Sequence, residues 1–206
     1  MGRRTGTDRT TDRSVLGLLV LTQSLFFASL GLCIAINHSE TASNDGISFY
    51  GVFPSTIVLV IVGYAAASIG LFSASNWLRD AGAPATAVNG ARAVAIGLPL
   101  LLATPYNQGT VWNWSHMTVG VVMALAQGAA TISLVRRRGG AGSWVVFSVQ
   151  LAGGLLAAAS LPDWSFPWLL PGETIYELAY GASLFLWIDE LGGRPTRRER
   201  VSRANA

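Results

Sequence analysis

Few side chains in this sequence could do acid–base or ligand chemistry, and the most suggestive are two carboxylates. Glu173 and Glu177 are four residues apart in a segment with a helical pattern, which places them on one helix face. Two carboxylates this close are typical of a proton or cation site. They could equally be two solvated acids near a helix N-terminus, where the helix dipole favours negative charge.

The second group is a histidine and a polar stretch earlier in the chain. His116 begins an apolar segment, and Asp45 and Tyr50 lie in the polar stretch before another. His116 beside a carboxylate could act as a general base, although nothing nominates a nucleophile. An enzyme therefore stays an open alternative, less favoured than a protein without catalytic activity.

Metal binding and other cofactors are not expected. Two histidines, His38 and His116, and up to four carboxylates could share one face of the protein. They do not have the spacing of a known metal motif, and folding would have to bring distant loops together. The single cysteine, Cys33, excludes a disulfide within the chain and a cysteine-based metal cluster.

These residues must be positioned by membrane helices. The chain is 51% hydrophobic and 12% charged, and about 20 apolar residues suffice to cross the hydrocarbon core. We predict an all-α polytopic membrane protein, a bundle of six transmembrane helices with short loops. The predicted spans are 14–36, 54–75, 84–105, 114–135, 143–161 and 171–191. They form one membrane domain, 14–191, between arginine-rich tails at 1–13 and 192–206.

The basic residues predict the orientation. All 14 are arginines, and they fall only in or beside alternate connecting stretches, including both tails. Basic side chains resist translocation, so both termini are predicted to be cytoplasmic in a multi-pass protein of the cell membrane. This side should contact anionic inner-leaflet lipid. The tails carry no aromatic residue, so a nucleic-acid partner is not expected, whereas a protein partner or a homo-oligomer is compatible with the sequence.

Polar residues inside the spans indicate contacts between helices. Gln23, Gln127 and Gln150 lie in mid-span, where a neutral amide is typically satisfied by a neighbouring helix. Arg92 lies one or two turns inside the third span. It is expected either to pair with Asp189 or Glu190 at the end of the sixth span, or to extend to the inner headgroups.

Small residues four apart predict close helix packing. The fourth span carries Gly120, Ala124 and Gly128, and the second and fifth carry similar pairs. Such stripes let helix backbones approach closely in lipid. Pro99, in the middle of the third span, is expected to kink that helix.

The first predicted outer loop leads to a resemblance. Residues 43–54 read Ser-Asn-Asp-Gly-Ile-Ser-Phe-Tyr-Gly-Val-Phe-Pro, an apolar span with small residues follows, and a histidine opens the fourth span. This layout resembles actinobacterial six-helix membrane families of unknown function and, more distantly, damage-regulated autophagy modulator-type proteins. The Asp-Thr-Gly-like core and following Pro-Glu of the modulator type are absent. The resemblance implies a fold and a membrane location, and nominates Asp45, Gly46, Tyr50 and His116 as shared outer-face positions.

Three classes of function follow from these features. The first choice is a structural, regulatory or partner-binding membrane protein, which is favoured by the short loops and the absence of a catalytic set. A small transporter or channel for a cation, proton or small solute is favoured by Glu177, Arg92 and Pro99. An outer-leaflet lipid-modifying enzyme is supported by His116 and the nearby acids alone. If a functional site exists, it should lie where the stretch 44–50 meets His116, Glu173 and Glu177.

Overall fold

The computed structural model describes residues 8–38, 46–160 and 167–193, and this part of the chain is all-helical. Six long helices follow one another along the chain. They are α1 (Asp8–Ile36), α2 (Ile57–Asp80), α3 (Ala85–Ala103), α4 (Thr110–Arg138), α5 (Ala141–Ser160) and α6 (Leu169–Gly193). Two short 3₁₀ helices, Ile47–Val52 and Tyr106–Gln108, precede α2 and α4. Each predicted span therefore corresponds to one helix.

The helices form a membrane bundle. Helices α1 to α5 are long and apolar enough to cross a membrane. Their outward faces carry large apolar side chains such as Val58, Val145 and Leu155, each more than half exposed. An apolar surface of this extent is suited to lipid and not to water. Helix α6 has 25 residues, also enough for a crossing, but it carries Glu173 and Glu177 in its first turns.

The helices pack in a ring. Helix α1 packs against α2 and α6, α2 packs against α3, and α3 packs against α4. Helices α5 and α6 form a closely packed pair. Helix α4 meets this pair less extensively, so the ring is loosest between α4 and the α5–α6 pair.

Small residues allow the close approaches. A Cβ atom on Gly172 of α6 would lie 2.5 Å from the backbone nitrogen of Ala157 on α5, and one on Gly153 would be 2.8 Å from the nitrogen of Tyr176. These two helices can approach this closely only because both positions lack a side chain. Gly70 of α2 likewise faces the side chain of Thr22 on α1.

The bundle has two chemically different ends. At the arginine end, which comprises the turns between α2 and α3 and between α4 and α5, an Nη1 of Arg137 donates a hydrogen bond to the carbonyl of Gly82 at 2.6 Å. Arg79 and Asp80 form an exposed ion pair there at 3.0 Å. The loop end is the opposite one, and it carries both 3₁₀ helices.

The first loop folds back onto the bundle. The hydroxyl of Thr56 donates to the carbonyl of Tyr50 at 2.7 Å, and the ring of Phe49 packs edge-on against those of Tyr50 and Phe53. Tyr50 is fully buried, and burial raises the pKa of its phenol above the ordinary value. The loop that looked polar in sequence is thus partly a core element.

The structure does not pair Arg92 with Asp189, one of the two carboxylates predicted as its partner. An Nη2 of Arg92 donates instead to the side-chain oxygen of Asn76 on α2 at 3.2 Å. Asp189 is exposed and makes no ion pair within the part of the chain that the structure describes. The reason is the packing order, because α3 lies between α2 and α4 while α6 packs on α5 and α1. The side chain of Glu190 lies outside the described residues.

Candidate functional site

A cavity of about 400 Å³ lies between α4 and the α5–α6 pair, towards the loop end. We call it the α4–α6 cavity. Its walls are mostly apolar or small, and they include Met117, Val121 and Leu125 of α4 and Gly154, Ala157 and Ala158 of α5. It occupies the place where the ring of helices is least closely packed. A cavity of this size could accommodate a small organic molecule.

One face of α4 forms a wall of the cavity. His116, Gly120, Ala124 and Gln127 follow one another at steps of three and four, so they lie on the same side of the helix. A Cβ atom on Gly120 would meet no other atom within 4 Å. The small stripe predicted on α4 therefore leaves open space at Gly120 and does not pack against a neighbouring helix there.

Glu177 is held by an amide from α4. The Nε2 atom of Gln127 donates to both carboxylate oxygens, at 2.7 and 2.9 Å. Gln127 is only 1% exposed, while Glu177 is partly buried and lines the cavity. A hydrogen bond from a neutral amide stabilises a carboxylate without neutralising its charge.

Glu173 is held by the first loop. The backbone N–H of Ile47 donates to its Oε2 at 2.6 Å. The loop can approach because residue 46 is glycine: a Cβ there would lie 2.6 Å from the same oxygen, and the φ of +77° also disfavours any other residue. Gly46 and Ile47 thus join the loop to α6 beside the cavity.

His116 also lines the cavity, with its orientation fixed by α3. Its Nδ1 lies 2.7 Å from the carbonyl oxygen of Thr104. A carbonyl can only accept, so Nδ1 carries the proton. The imidazole is 9% exposed and packs edge-on to the ring of Tyr106 at 5.7 Å between centroids.

Four aromatic residues contribute to the same walls: Phe26, Tyr64, Tyr106 and Tyr176. The hydroxyl of Tyr176 donates to the backbone carbonyl of Ala124, which joins α6 to α4 across the cavity. Gly128 and Gly154 give the Tyr176 side chain room, because a Cβ on either would lie 3.0 to 3.2 Å from it.

The cavity is acidic without a cationic counterpart. No arginine lines it, and neither glutamate has an arginine or histidine within ion-pair distance in the described residues. No group of three or more potential metal ligands occurs in that part of the chain either. The cavity therefore places two carboxylates in largely apolar surroundings.

The structure brings three of the nominated residues to one cavity: His116, Glu173 and Glu177. Tyr50 is packed in the core and not in the cavity wall, and His38 is exposed after the end of α1. Asp45 lies outside the described residues.

Sequence reasoning missed the partners that shape the site. Gln127 was predicted to bond to a neighbouring helix, but nothing in the sequence paired it with Glu177. The aromatic residues of the wall were also missed, since Phe26 and Tyr64 lie in spans with no distinguishing pattern. Their place in the cavity wall can be recognised only when α1, α2 and α6 are placed together.

No family model, curated protein or solved structure matches this chain. The resemblance to the six-helix actinobacterial families therefore stays a prediction.

Proposed function

We propose that this protein binds a small solute in the α4–α6 cavity and acts as a small transporter of the cell membrane. The observation that carries the proposal is the cavity itself, which places Glu173 and Glu177 against an apolar space between the helices. Intramembrane acidic residues typically mark substrate or ion pathways in membrane proteins.

The membrane arrangement that accompanies this proposal has six spans and cytoplasmic termini. The 25 residues of α6 are sufficient to cross the bilayer. The arginine end carries Arg79 and the run Arg136–Arg138, which supports a cytoplasmic position for that end. The cavity then lies nearer the external side.

A structural role and an enzymatic role are less well supported. A scaffold has no need for an internal cavity with two carboxylates, and close packing would make it more stable. An enzyme would need a reacting group near His116. The residues that line the cavity include Ser48, but it has no hydrogen bond to His116 that would activate it as a nucleophile.

Filling the cavity tests the proposal. Gly120→Leu should occupy the space beside α4 without a clash, since nothing lies within 4 Å of its Cβ position. Gly31→Leu is the matched control, because Gly31 is an exposed helical glycine that also has open space around it. The protein is purified in mild detergent, and retained small molecules are identified by native mass spectrometry.

We expect a small molecule to remain with the wild type and with Gly31→Leu, and to be lost from Gly120→Leu. The same molecule should then accumulate in vesicles that contain the wild type and not in vesicles that contain Gly120→Leu. Equal retention by both variants would show that the molecule binds elsewhere. Retention without accumulation would replace transport by simple binding.

Reporter fusions test the topology. A fusion after Arg138 should behave as cytoplasmic, and a fusion near Asn107 should behave as external. The opposite pattern would overturn the sidedness of the cavity, although not its existence.

A further inference from the structure

We infer, on the basis of the proposed function, that the ligand of the α4–α6 cavity is an organic cation, with an ammonium group on an apolar body. The ammonium would lie at Glu173 and Glu177, and the apolar body would occupy the space bounded by α4, α5 and the aromatic residues. Charge, hydrogen-bonding capacity and shape each support this class of ligand.

The charge of the lining favours a cation. Glu173 and Glu177 both face the cavity, and no arginine does. His116 is the one other titratable side chain of the lining besides the tyrosines, and its Nδ1–H already bonds to Thr104. An anionic ligand would meet two acids without a fixed positive charge, whereas a cation would neutralise one of them in a region of low dielectric constant.

Both carboxylates retain acceptor capacity. Glu173 accepts one backbone hydrogen bond on Oε2, and Glu177 accepts from a single amide nitrogen. An ionised carboxylate offers about four lone-pair directions, so each can still accept from an ammonium group. The two residues are one helical turn apart on α6, so one cation can interact with both.

The remaining walls suit an apolar body. Apolar side chains dominate the cavity, and the rings of Phe26, Tyr64, Tyr106 and Tyr176 are part of its surface. Aromatic faces attract cations and also pack against hydrocarbon. A hydrated inorganic ion would leave this apolar surface without a partner, and in the described residues no third histidine, cysteine or carboxylate joins the two glutamates as a potential metal ligand.

Three probes with one apolar body and different charges test the inference: hexylammonium, hexanol and hexanoate. Binding to the full chain in phosphatidylcholine nanodiscs is measured by equilibrium dialysis, with Gly120→Leu nanodiscs as the blank for partition into lipid. Hexylammonium should bind about tenfold or more tightly than hexanol, because a charged donor makes a stronger hydrogen bond to a carboxylate than a neutral hydroxyl does. Hexanoate should bind more weakly than either.

The double variant Glu173→Gln and Glu177→Gln, which removes both charges and keeps an acceptor oxygen at each position, should lose the preference for hexylammonium over hexanol. Retained hexanol binding shows that this variant is folded. Equal affinity of the wild type for hexylammonium and hexanol, with both lost in Gly120→Leu, would overturn the inference and leave the proposed solute site intact. Absence of specific binding for all three probes would overturn both.

The ammonium could come from a free lipophilic amine or from an ethanolamine lipid headgroup, and a further arm separates these sources. Replacing part of the phosphatidylcholine by phosphatidylethanolamine should leave hexylammonium binding unchanged if the ligand is a free amine, because the lipid phosphate finds no arginine in the cavity. Competition by phosphatidylethanolamine would assign the same ammonium site to the lipid.

Discussion

The Nε2 atom of Gln127 on α4 lies 2.7 and 2.9 Å from the two carboxylate oxygens of Glu177 on α6. This contact crosses the part of the ring where the helices are least closely packed. Together with the hydrogen bond from Tyr176 to Ala124, it holds α4 to α6 deeper in the bundle than His116 and Tyr106. The polar link and the cavity are therefore parts of one structural feature.

Removing the amide should weaken the bundle. Gln127→Met leaves the carboxylate of Glu177 without its donor, and we expect the free energy of unfolding to fall by about 1–3 kcal/mol. The measurement is an SDS titration of protein in bicelles. Gln23→Met is the control, because the structure gives Gln23 no hydrogen bond within the described residues, and it should change the free energy of unfolding by less. If Gln127→Met is equally destabilising in a Glu177→Ala background, the contact does not contribute.

The link between the first loop and α6 gives a second prediction. Gly46→Ala should destabilise the protein for two reasons: its φ of +77° strains an alanine, and the new methyl group would lie 2.6 Å from Oε2 of Glu173. Glu173→Ala removes the carboxylate, so it relieves the steric conflict but not the backbone strain. The free energy of unfolding of the double variant should therefore fall by about 1 kcal/mol less than the sum of the losses of the two single variants.

Gly82 provides the control for this comparison. Its φ is +71°, and nothing lies within 4 Å of a Cβ at that position. Gly82→Ala and Glu173→Ala should be additive in thermal unfolding. Additivity at Gly46 as well would show that the close approach to Glu173 has no energetic effect.

Most of the fold could be predicted from the sequence. Long apolar segments separated by arginine-rich or polar stretches correspond to α1 to α6, because a lipid-spanning chain must satisfy its backbone hydrogen bonds within each helix. The boundaries moved by a few residues. Helix α2 begins at Ile57 and not at Pro54, since the chain makes a turn at Pro54 before the helix starts.

The partners across the bundle could not be predicted in the same way. Asp189 and Glu190 were the predicted partners of Arg92, beside the inner headgroups, because charge was the available criterion. The choice of Asn76 depends on which helices are neighbours. The apolar faces of α1 to α6 are too similar to specify that order. For the same reason the sequence could nominate His116, Glu173 and Glu177, but it could not show the cavity that they share.

The corrected environment of Arg92 leads to a third prediction. Asn76→Ala removes a hydrogen bond to a charged donor, so the free energy of unfolding should fall by about 1 kcal/mol or more. Asp189→Asn should change it by less than about 0.5 kcal/mol, as for other exposed charges outside an ion pair. Chemical denaturation of both variants in the same detergent makes the comparison. A larger loss for Asp189→Asn would restore the rejected pairing.

The electrostatic character of the cavity can be measured without knowledge of the ligand. Cys33 is the single cysteine and is buried, so Cys33→Ala gives a background without thiols. In that background Gly120→Cys places a thiol on the cavity wall, and Gly31→Cys places one on the exposed face of α1. Each is treated with a cationic and an anionic thiosulfonate of similar size, and the two rates of modification are measured by mass spectrometry.

Two carboxylates without a basic partner should concentrate the cationic reagent in the cavity. We expect Gly120→Cys to react about tenfold faster with the cation than with the anion, relative to the same ratio at Gly31→Cys, because acidic clefts with apolar walls focus the field on a charged reagent. Adding Glu173→Gln and Glu177→Gln should bring the two ratios together. If these changes leave the ratio at Gly120→Cys unaltered, the carboxylates do not determine which charged molecules enter the cavity.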